Sequence, residues 1–454
     1  MFMQNLMEQK KSGQSEQESR LTLEPRSLMP TAQWGLTTRI LFRFCFAYFI
    51  LFSLINWIAS LFVIPKLDIP RLGILWPLRQ ITSWTAAHVF RVMQPLVYIS
   101  PSHDKTFDWV QTFCLLVFAI VIAATWSAVD RGRQNYVSLR KWFRLFIRFV
   151  LASQMLHYGF MKLIPVQMVF PSLTALVEPF GNFSPMRVLW WSIGASPAYE
   201  IFAGSAEILG GILLIFPRTT TFGALVCLAD MVQVFTLNMM YDVPVKLYSF
   251  HLILFSLLLL AAESRRIISF FFSDHATGPS TQPPLFGTVH ANRIALILQV
   301  TFGLYLAVMQ LHGGIQVWYT RGGGRPKPSI YGIWDVKQMT IDGQIRSPLP
   351  ADYDRWRRVI FDFTTSTSFQ RMDESFANFG SSINDKSKTL TLAKDDDKNW
   401  KANFTFDRTA RDRLVLDGAM DGHRIHMELE LVDRNQFLLV NRPFHWINEY
   451  PFER

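Results

Sequence analysis

FVLASQMLHYGFMKLIP (Phe149–Pro165) and AYEIFAGSAEILGGILLIFPR (Ala198–Arg218) are apolar stretches that nevertheless carry charge. The first, with Arg148 just before it, holds Gln154, His157, Tyr158 and Lys162; the second holds Glu200 and Glu207. A charged side chain at the centre of a bilayer costs roughly 3 kcal/mol on insertion scales, so such residues turn toward a bundle interior and pair there. At about 100° per helical residue, Gln154, His157, Tyr158 and Lys162 fall within one arc of roughly 140°. Glu200 and Glu207, two helical turns apart, share a face. Ala203, Gly204, Ala206, Gly210 and Gly211 surround Glu207 and are small enough for a neighbouring helix to approach closely. Asp230 and Gln233 add acceptors and donors to the next apolar stretch. The pattern predicts a polar network inside a helical bundle. Two readings stand at this point: Arg148, Lys162 and Glu207 only hold the bundle together, or the network also lines a pocket for a polar head, a quinone or a proton path.

Composition supports the bundle. Of 454 residues, 50% are hydrophobic, 18% are charged and 39 are Phe. The apolar residues concentrate in runs of about twenty, the length that crosses a hydrocarbon core. The chain reads as an α-helical membrane bundle of about seven transmembrane helices: Leu36–Ile64, Phe107–Val129, Trp142–Leu163, Ala198–Phe216, Thr221–Tyr241, Lys246–Ala262 and Asn292–Tyr319. Leu75–Ile99 is apolar too, but Arg79, His88, Arg91 and two prolines interrupt it, which predicts an interfacial amphipathic helix. Arg39 and Arg43 are expected to snorkel from the end of the first span.

Short-loop cations set the expected orientation. The link RGRQNYVSLRK (Arg131–Lys141) is basic and Arg265–Arg266 follow the sixth span, whereas Pro165–Pro197 holds only Arg187. The positive-inside rule then places the polar, disordered-looking tail Met1–Trp34 in the cytoplasm and the carboxyl-terminal domain outside a plasma (inner) membrane. The net charge of +10 sits beside hydrophobic ends, not in a patch interleaved with exposed aromatics, so the bilayer is the expected partner and nucleic acid is not. Cys45, Cys114 and Cys227 stand singly in apolar runs, as small hydrophobes do. No C-x-x-C, H-E-x-x-H, P-loop or G-x-G-x-x-G is present, and no metal site is expected.

After Tyr319 the composition changes. RGGGRPKP (Arg321–Pro328) is a linker by its Gly and Pro content. Beyond it Val359, Phe361 and Phe363 alternate with Ile360 and Asp362, Phe404 and Phe406 with Thr405 and Asp407, and Ile425, Met427, Leu429 and Leu431 with His426, Glu428 and Glu430. Period two, with turn signals at Asp342–Gly343, Asp417–Gly418 and Asp421–Gly422, predicts an antiparallel meander of eight to ten short strands, a β barrel-like domain or a small sandwich. His423 and His426 fall on opposite faces of a strand, so they are not a metal pair. KDDDK (Lys394–Lys398) reads as a hairpin loop, and the aromatic carboxyl end, with Trp446 and Tyr450, either closes the barrel or rests on the membrane surface. YGIWDV (Tyr331–Val336) carries the G-x-W that opens lipocalins, which it resembles. The expected order is tail (1–34), two spans with an interfacial helix (35–141), four-helix core (142–262), cytoplasmic link and seventh span (263–320), linker (321–329) and extracytoplasmic β domain (330–454).

Over about 120 residues, Trp142–Ala262, the pattern Arg148, Gly159, Lys162, a polar loop, then Glu207-x-x-Gly210-Gly211 and Arg218 resembles the DoxX family. Those are small bacterial proteins of four membrane helices, related to the small subunit of thiosulfate:quinone oxidoreductase. The chain departs from them in carrying Tyr158 where the family often has His, with His157 one position earlier, and in its added spans and β domain. The resemblance implies membrane redox chemistry with quinone and an oxidoreductase partner protein. It would make this chain an accessory or quinone-interacting subunit. Non-enzymatic binding or passage of a small apolar molecule, or a role as an assembly scaffold, are the alternatives.

Overall fold

The computed structural model describes residues 33–56, 71–274, 282–397, 399–442 and 444–452. Most of the expected tail and the far end of the first expected span lie outside them. A helical bundle precedes an antiparallel β domain, as the two periodicities predict, and the β domain is a closed barrel, not a sandwich. Helices α1 (Leu36–Asn56), α2 (Leu78–His88) and α3 (Thr106–Val129) form one side. The centre is built from α4 (Val137–Leu163), α6 (Pro197–Ile215), α7 (Thr220–Met240) and α8 (Lys246–Ala261), with α5 (Pro185–Gly194) at one end and α10 (Val289–Thr320) along α4; α9 (Ser264–Phe272) follows α8.

Among the described residues five helices, α1, α3, α6, α7 and α10, are long and apolar enough to cross a membrane, against the seven spans expected. Two expected spans differ for physical reasons. α4 carries Arg140, Lys141, Arg144, Arg148 and Lys162, too many charges for a lipid-facing helix. It is instead the centre of the bundle, where Ile147, Val150, Leu151, Ala152 and Leu156 have no exposed surface. α8 has 16 residues, about 24 Å of helix, and then turns by 83° into α9. The turn falls just before Arg265 and Arg266, which are both exposed. The interfacial segment contains one short helix, α2, which carries exposed Trp84 and is flanked by exposed Trp76 and Met93.

Arg43 corrects the expectation of snorkelling. It is 2% exposed and turns inward, donating to the Tyr136 hydroxyl (2.6 and 2.9 Å), Ser127 Oγ and the Asp130 carbonyl (2.8 Å each). The Tyr136 hydroxyl in turn donates to Asp130 Oδ2 at 2.8 Å. This knot ties α1 to the α3–α4 turn. Arg39, one turn earlier, stays at the surface and reaches the Arg133 carbonyl.

α4 and α6 run antiparallel and cross where both lack a side chain. A Cβ on Gly204 would lie 2.7 Å from the Gly159 carbonyl, and one on Gly159 would lie 2.6 Å from Ile208 Cγ1. Further along, Gly211 faces Leu156 while Gly210 faces Cys227 of α7, so one helix presents two smooth faces to two neighbours. Dispersion and close backbone contact replace the hydrophobic effect as the adhesive in such a setting.

The barrel comprises β1 (Gly332–Ile341), β2 (Gln344–Ile345), β3 (Trp356–Phe361), β4 (Ser366–Arg371), β5 (Phe376–Asn384), β6 (Thr389–Ala393), β7 (Lys401–Ala410), β8 (Arg413–Met420) and β9 (His423–Leu431). Eight strands close it, β1 pairing with both β3 and β9, and the two-residue β2 borders the far end of β1. Its interior is filled by Trp334, Phe361, Phe369, Phe404, Leu416 and Met427, among others, each worth roughly 1.5–3 kcal/mol when buried. Asp342–Gly343 and Asp421–Gly422 make the predicted turns with positive φ at both residues. Asp417–Gly418 does not: Gly418 lies within β8, where a Cβ would come 2.3 Å from the Asn403 carbonyl and 2.5 Å from the Phe404 ring. The closure of β1 on β9 leaves the aromatic carboxyl end free of that task, with Trp446 and Tyr450 exposed.

Alternation also fails at β3, where Val359, Ile360 and Phe361 are all buried. The cause is the helical domain. In the loop after α4, Leu173 packs on Ile333 and Ile360 of the barrel wall, joined by Leu176 and Val177. Asp362 Oδ2 accepts from the Leu173 N–H at 2.9 Å, and its Oδ1 accepts from Arg325 at 2.6 Å. Gln370 donates to the Val177 carbonyl. The glycine-rich linker is packed as well, with Gly322, Gly323 and Gly324 seated around Trp318.

Two outcomes follow. Gly204→Leu should destabilise the bundle by more than about 2 kcal/mol, read as thermal unfolding in detergent, because backbone sits where the side chain would go. Asp362→Ala should leave both domains folded but expose Arg321–Pro328 to limited proteolysis; an unchanged cleavage rate would show that the apolar contact alone holds the barrel.

Candidate functional site

Side chains of a helix lean toward its N-terminus. Lys162 therefore leans back over the α4–α6 crossing, three residues beyond Gly159, and its ammonium donates to Glu207 Oε1, three residues beyond Gly204. Glu207 is 1% exposed. The ion pair lies against a pocket of about 90 Å³ enclosed by α4, α6, α7 and α8. A single water needs roughly 10–15 Å³, so the space suits one ring-sized head or a few waters.

α4 presents Gln154, Tyr158 and Lys162 to the pocket, α7 presents Asp230 and Gln233, and α8 presents Tyr248. The Tyr248 hydroxyl donates to Gln154 Oε1, and the Tyr158 and Tyr248 rings meet edge to face at 5.5 Å. Met155, Leu189, Ile193, Met231 and Leu252 supply apolar walls. Trp190 of α5 forms part of the roof, held by its indole N–H on the Gln167 carbonyl at 3.1 Å. Tyr199 and Gln233, the exposed members of the lining, mark its mouth on the outer face of the bundle. The N-terminus of α8 is fixed from outside by Asp104, whose carboxylate accepts the Lys246 and Leu247 N–H groups at 2.6 and 2.8 Å.

Charge in the pocket is unbalanced. One ammonium, Lys162, faces two carboxylates, Glu207 and Asp230. Glu207 Oε2 and Asp230 Oδ2 are both buried without a hydrogen-bond partner among the described residues. Buried acceptors left in this state cost a few kcal/mol each, so the site has spare capacity for donors.

The predicted network thus divides. Gln154, Tyr158, Lys162, Glu207, Asp230 and Gln233 come together. Arg148 lies about 21 Å along α4 from Lys162 and caps the end of α6, donating to the Leu214 and Ile215 carbonyls at 3.0 and 2.8 Å and to Gln299 at 3.2 Å. It is no partner of Glu207. His157 turns to α10 and pairs with Gln310 Oε1 at 2.8 Å. Glu200 accepts the Met168 N–H at 2.9 Å and anchors the barrel-docking loop. Gly159, Gly210 and Gly211 serve helix contact, and Arg218 lies at the opposite end of the bundle, near Arg148. Tyr248, Ser249 and Asn238 were not among the expected residues; Asn238 donates to Ser249 Oγ at 3.0 Å. For Tyr248 and Ser249 the signal was the cluster of polar residues Lys246, Tyr248, Ser249 and His251 at the start of a largely apolar helix. His251 meets the Tyr48 hydroxyl at 2.7 Å and stacks on Phe52 with ring centroids 3.7 Å apart, joining α8 to α1.

At the barrel, His423 and His426 take separate carboxylates, Asp342 at 2.7 Å and Asp417 at 2.6 Å, as expected for opposite faces. No group of three His, Cys, Asp or Glu suited to a metal occurs among the described residues. The Asp342 hydrogen bond and charge raise the His423 pKa above 6.5. That pairing favours the folded barrel below the unfolded histidine value and is lost as pH rises through the folded one. NMR titration should give a His423 midpoint above 6.5 that falls in Asp342→Asn.

Lys162→Met should cost about 3–5 kcal/mol, since it strands two buried carboxylates. Glu207→Gln should cost less, because Asp230 remains near the ammonium, and the double variant should recover part of the loss. Equal losses from both single substitutions, measured by denaturation in detergent, would remove Asp230 from the network.

No protein-family model matches the chain, and no solved structure matches it. A stretch of 143 residues, 32% of this chain, is 29% identical to the Uncharacterized protein YwoB of Bacillus subtilis (strain 168), 91% of whose length it covers. The likeness adds a bacterial relative and no chemistry.

Proposed function

We propose that this chain is a DoxX-like multi-pass membrane protein whose bundle pocket holds the hydrogen-bonding head of a small apolar molecule, with hydroquinone as the ligand class. The observation that carries the reading is the pair of buried, unpartnered carboxylate oxygens, Glu207 Oε2 and Asp230 Oδ2, in a pocket with apolar walls. A hydroxyl-bearing ring supplies the donors those oxygens lack, and Lys162 and Tyr158 face the same space as donors for a carbonyl. An apolar tail would leave between Tyr199 and Gln233. Electrons would be exchanged with an oxidoreductase partner protein, as the family resemblance implies.

In this reading α4, α6, α7 and α8 are the four-helix core. α4 crosses the bilayer shielded by its neighbours, and α8 with α9 forms a span that ends along the surface. Arg131, Arg133, Lys141, Arg218, Arg265 and Arg266 belong to one end of the bundle, whereas α10 delivers the barrel to the other. The positive-inside rule then puts the basic end in the cytoplasm and the barrel outside the plasma membrane, next to the pocket.

The test begins with protein purified from native membranes, whose bound small molecules are extracted and identified. Short-tail hydroquinone and quinone analogues are then titrated, following Trp fluorescence. Saturable binding, tighter for the hydroxyl-bearing form and weakened about tenfold or more by Asp230→Asn, is expected for loss of a charge-assisted hydrogen bond. A clean preparation without quinone and no response to either analogue would overturn the proposal.

A further inference from the structure

A second groove, of about 910 Å³, lies at the far end of the bundle. Arg140, Lys141, Arg144, Arg148, Arg218 and Arg266 line it, and among the described residues no carboxylate does. These cations come from three places distant in sequence: α4, the α6–α7 turn and α9. The positive-inside rule asks only that cations be numerous on one side; it does not ask that they converge on one cavity.

Few anions answer them. Glu263, buried beneath, is 3.7 Å from Arg266 and within the field of Arg140 and Arg144. Arg148 spends its donors on the α6 carbonyls and Gln299. Arg144 makes one long contact, 3.4 Å, to the Leu259 carbonyl. No Asp or Glu occurs in the sequence between Asp274 and Asp335. Residues 1–32 carry four Glu and four Lys or Arg, so the tail brings no net negative charge. The 21-residue α7 also begins here, with Thr219, Thr220 and Thr221 on the wall. Its first-turn N–H groups and positive dipole end favour an anion.

The other wall is apolar. Leu145, Phe216 and Leu296 line the groove, and Phe216 and Leu296 are exposed on the outer face of the bundle, where acyl chains run. We propose that this groove binds a phosphate-bearing anion, the head of an anionic phospholipid, with Lys141, Arg144, Arg218 and Arg266 around the phosphate and an acyl chain along Phe216 and Leu296. A basic pocket between helices is the known physical form of such recognition.

Native mass spectrometry and thermal unfolding of the full chain would test this, with phosphatidylglycerol, phosphatidylcholine of the same chain length, and inorganic pyrophosphate as probes. Retention and stabilisation by phosphatidylglycerol over phosphatidylcholine are expected. The variant Lys141→Gln/Arg144→Gln/Arg218→Gln should weaken that binding by about a hundredfold. A control, Arg131→Gln/Arg265→Gln/Arg293→Gln, removes three exposed cations outside the groove and should retain it. Pyrophosphate competing at the same site without any lipid preference would support the anion site and replace its lipid source with a soluble one. No preference for the anionic lipid together with no pyrophosphate binding, or equal loss in the control, would overturn the proposal. Because the control carries the same charge change, a general loss of membrane affinity is told apart from loss of the groove.

Discussion

The crossing of α4 and α6 at Gly159 and Gly204 is the constraint on which the rest of the bundle depends. Only without Cβ atoms there can the two backbones approach closely enough for Lys162 and Glu207 to meet in the interior. The pair in turn makes the crossing hard to slide. A shift of one turn would separate the ammonium from its carboxylate in a medium that cannot solvate either. Steric fit and ion pairing therefore specify the same register, and the pocket walls on α7 and α8 are built against it.

The two ends of the molecule then acquire different chemistry. Toward the barrel, two carboxylates face one ammonium around a small apolar-walled space. Toward the other end, cations converge beside the start of α7. α4 joins the two, since Arg140 to Arg148 and Gln154 to Lys162 belong to one continuous helix. The barrel is fastened at the pocket end through Asp362, Leu173 and Arg325, and Glu200 holds the same loop to α6. A disturbance in the loop after α4 thus reaches both the barrel wall and the pocket roof at Trp190.

Much of this was legible in the residues. Charges inside apolar runs marked α4 and α6 as facing inward, and small residues around Glu207 marked the close approach. Period-two alternation marked the barrel. The errors share a cause. Arg43 was expected at the surface and Arg148 in a network with Glu207, because a helix position alone does not say which neighbour will offer carbonyls. Ile360 was assigned to the face opposite Val359 and Phe361, and alternation cannot register the loop from another domain that buries it there. Asp417–Gly418 was expected to turn, although the glycine is there to let a Phe404 ring lie over the strand.

The sequence by itself determined the division into an apolar helical part and an alternating β part, since hydrophobic period and run length are local properties. It also determined that Arg148, Lys162 and Glu207 had to be buried and satisfied by partners, because lipid offers no alternative. Only the tertiary structure decided the partners. It sent His157 to Gln310, Arg148 to the end of α6 and Asp230 into the pocket of Lys162 and Glu207. Those choices depend on the rotation and crossing of whole helices, which sum many weak contacts across residues far apart in the chain, and no short stretch of sequence contains that sum.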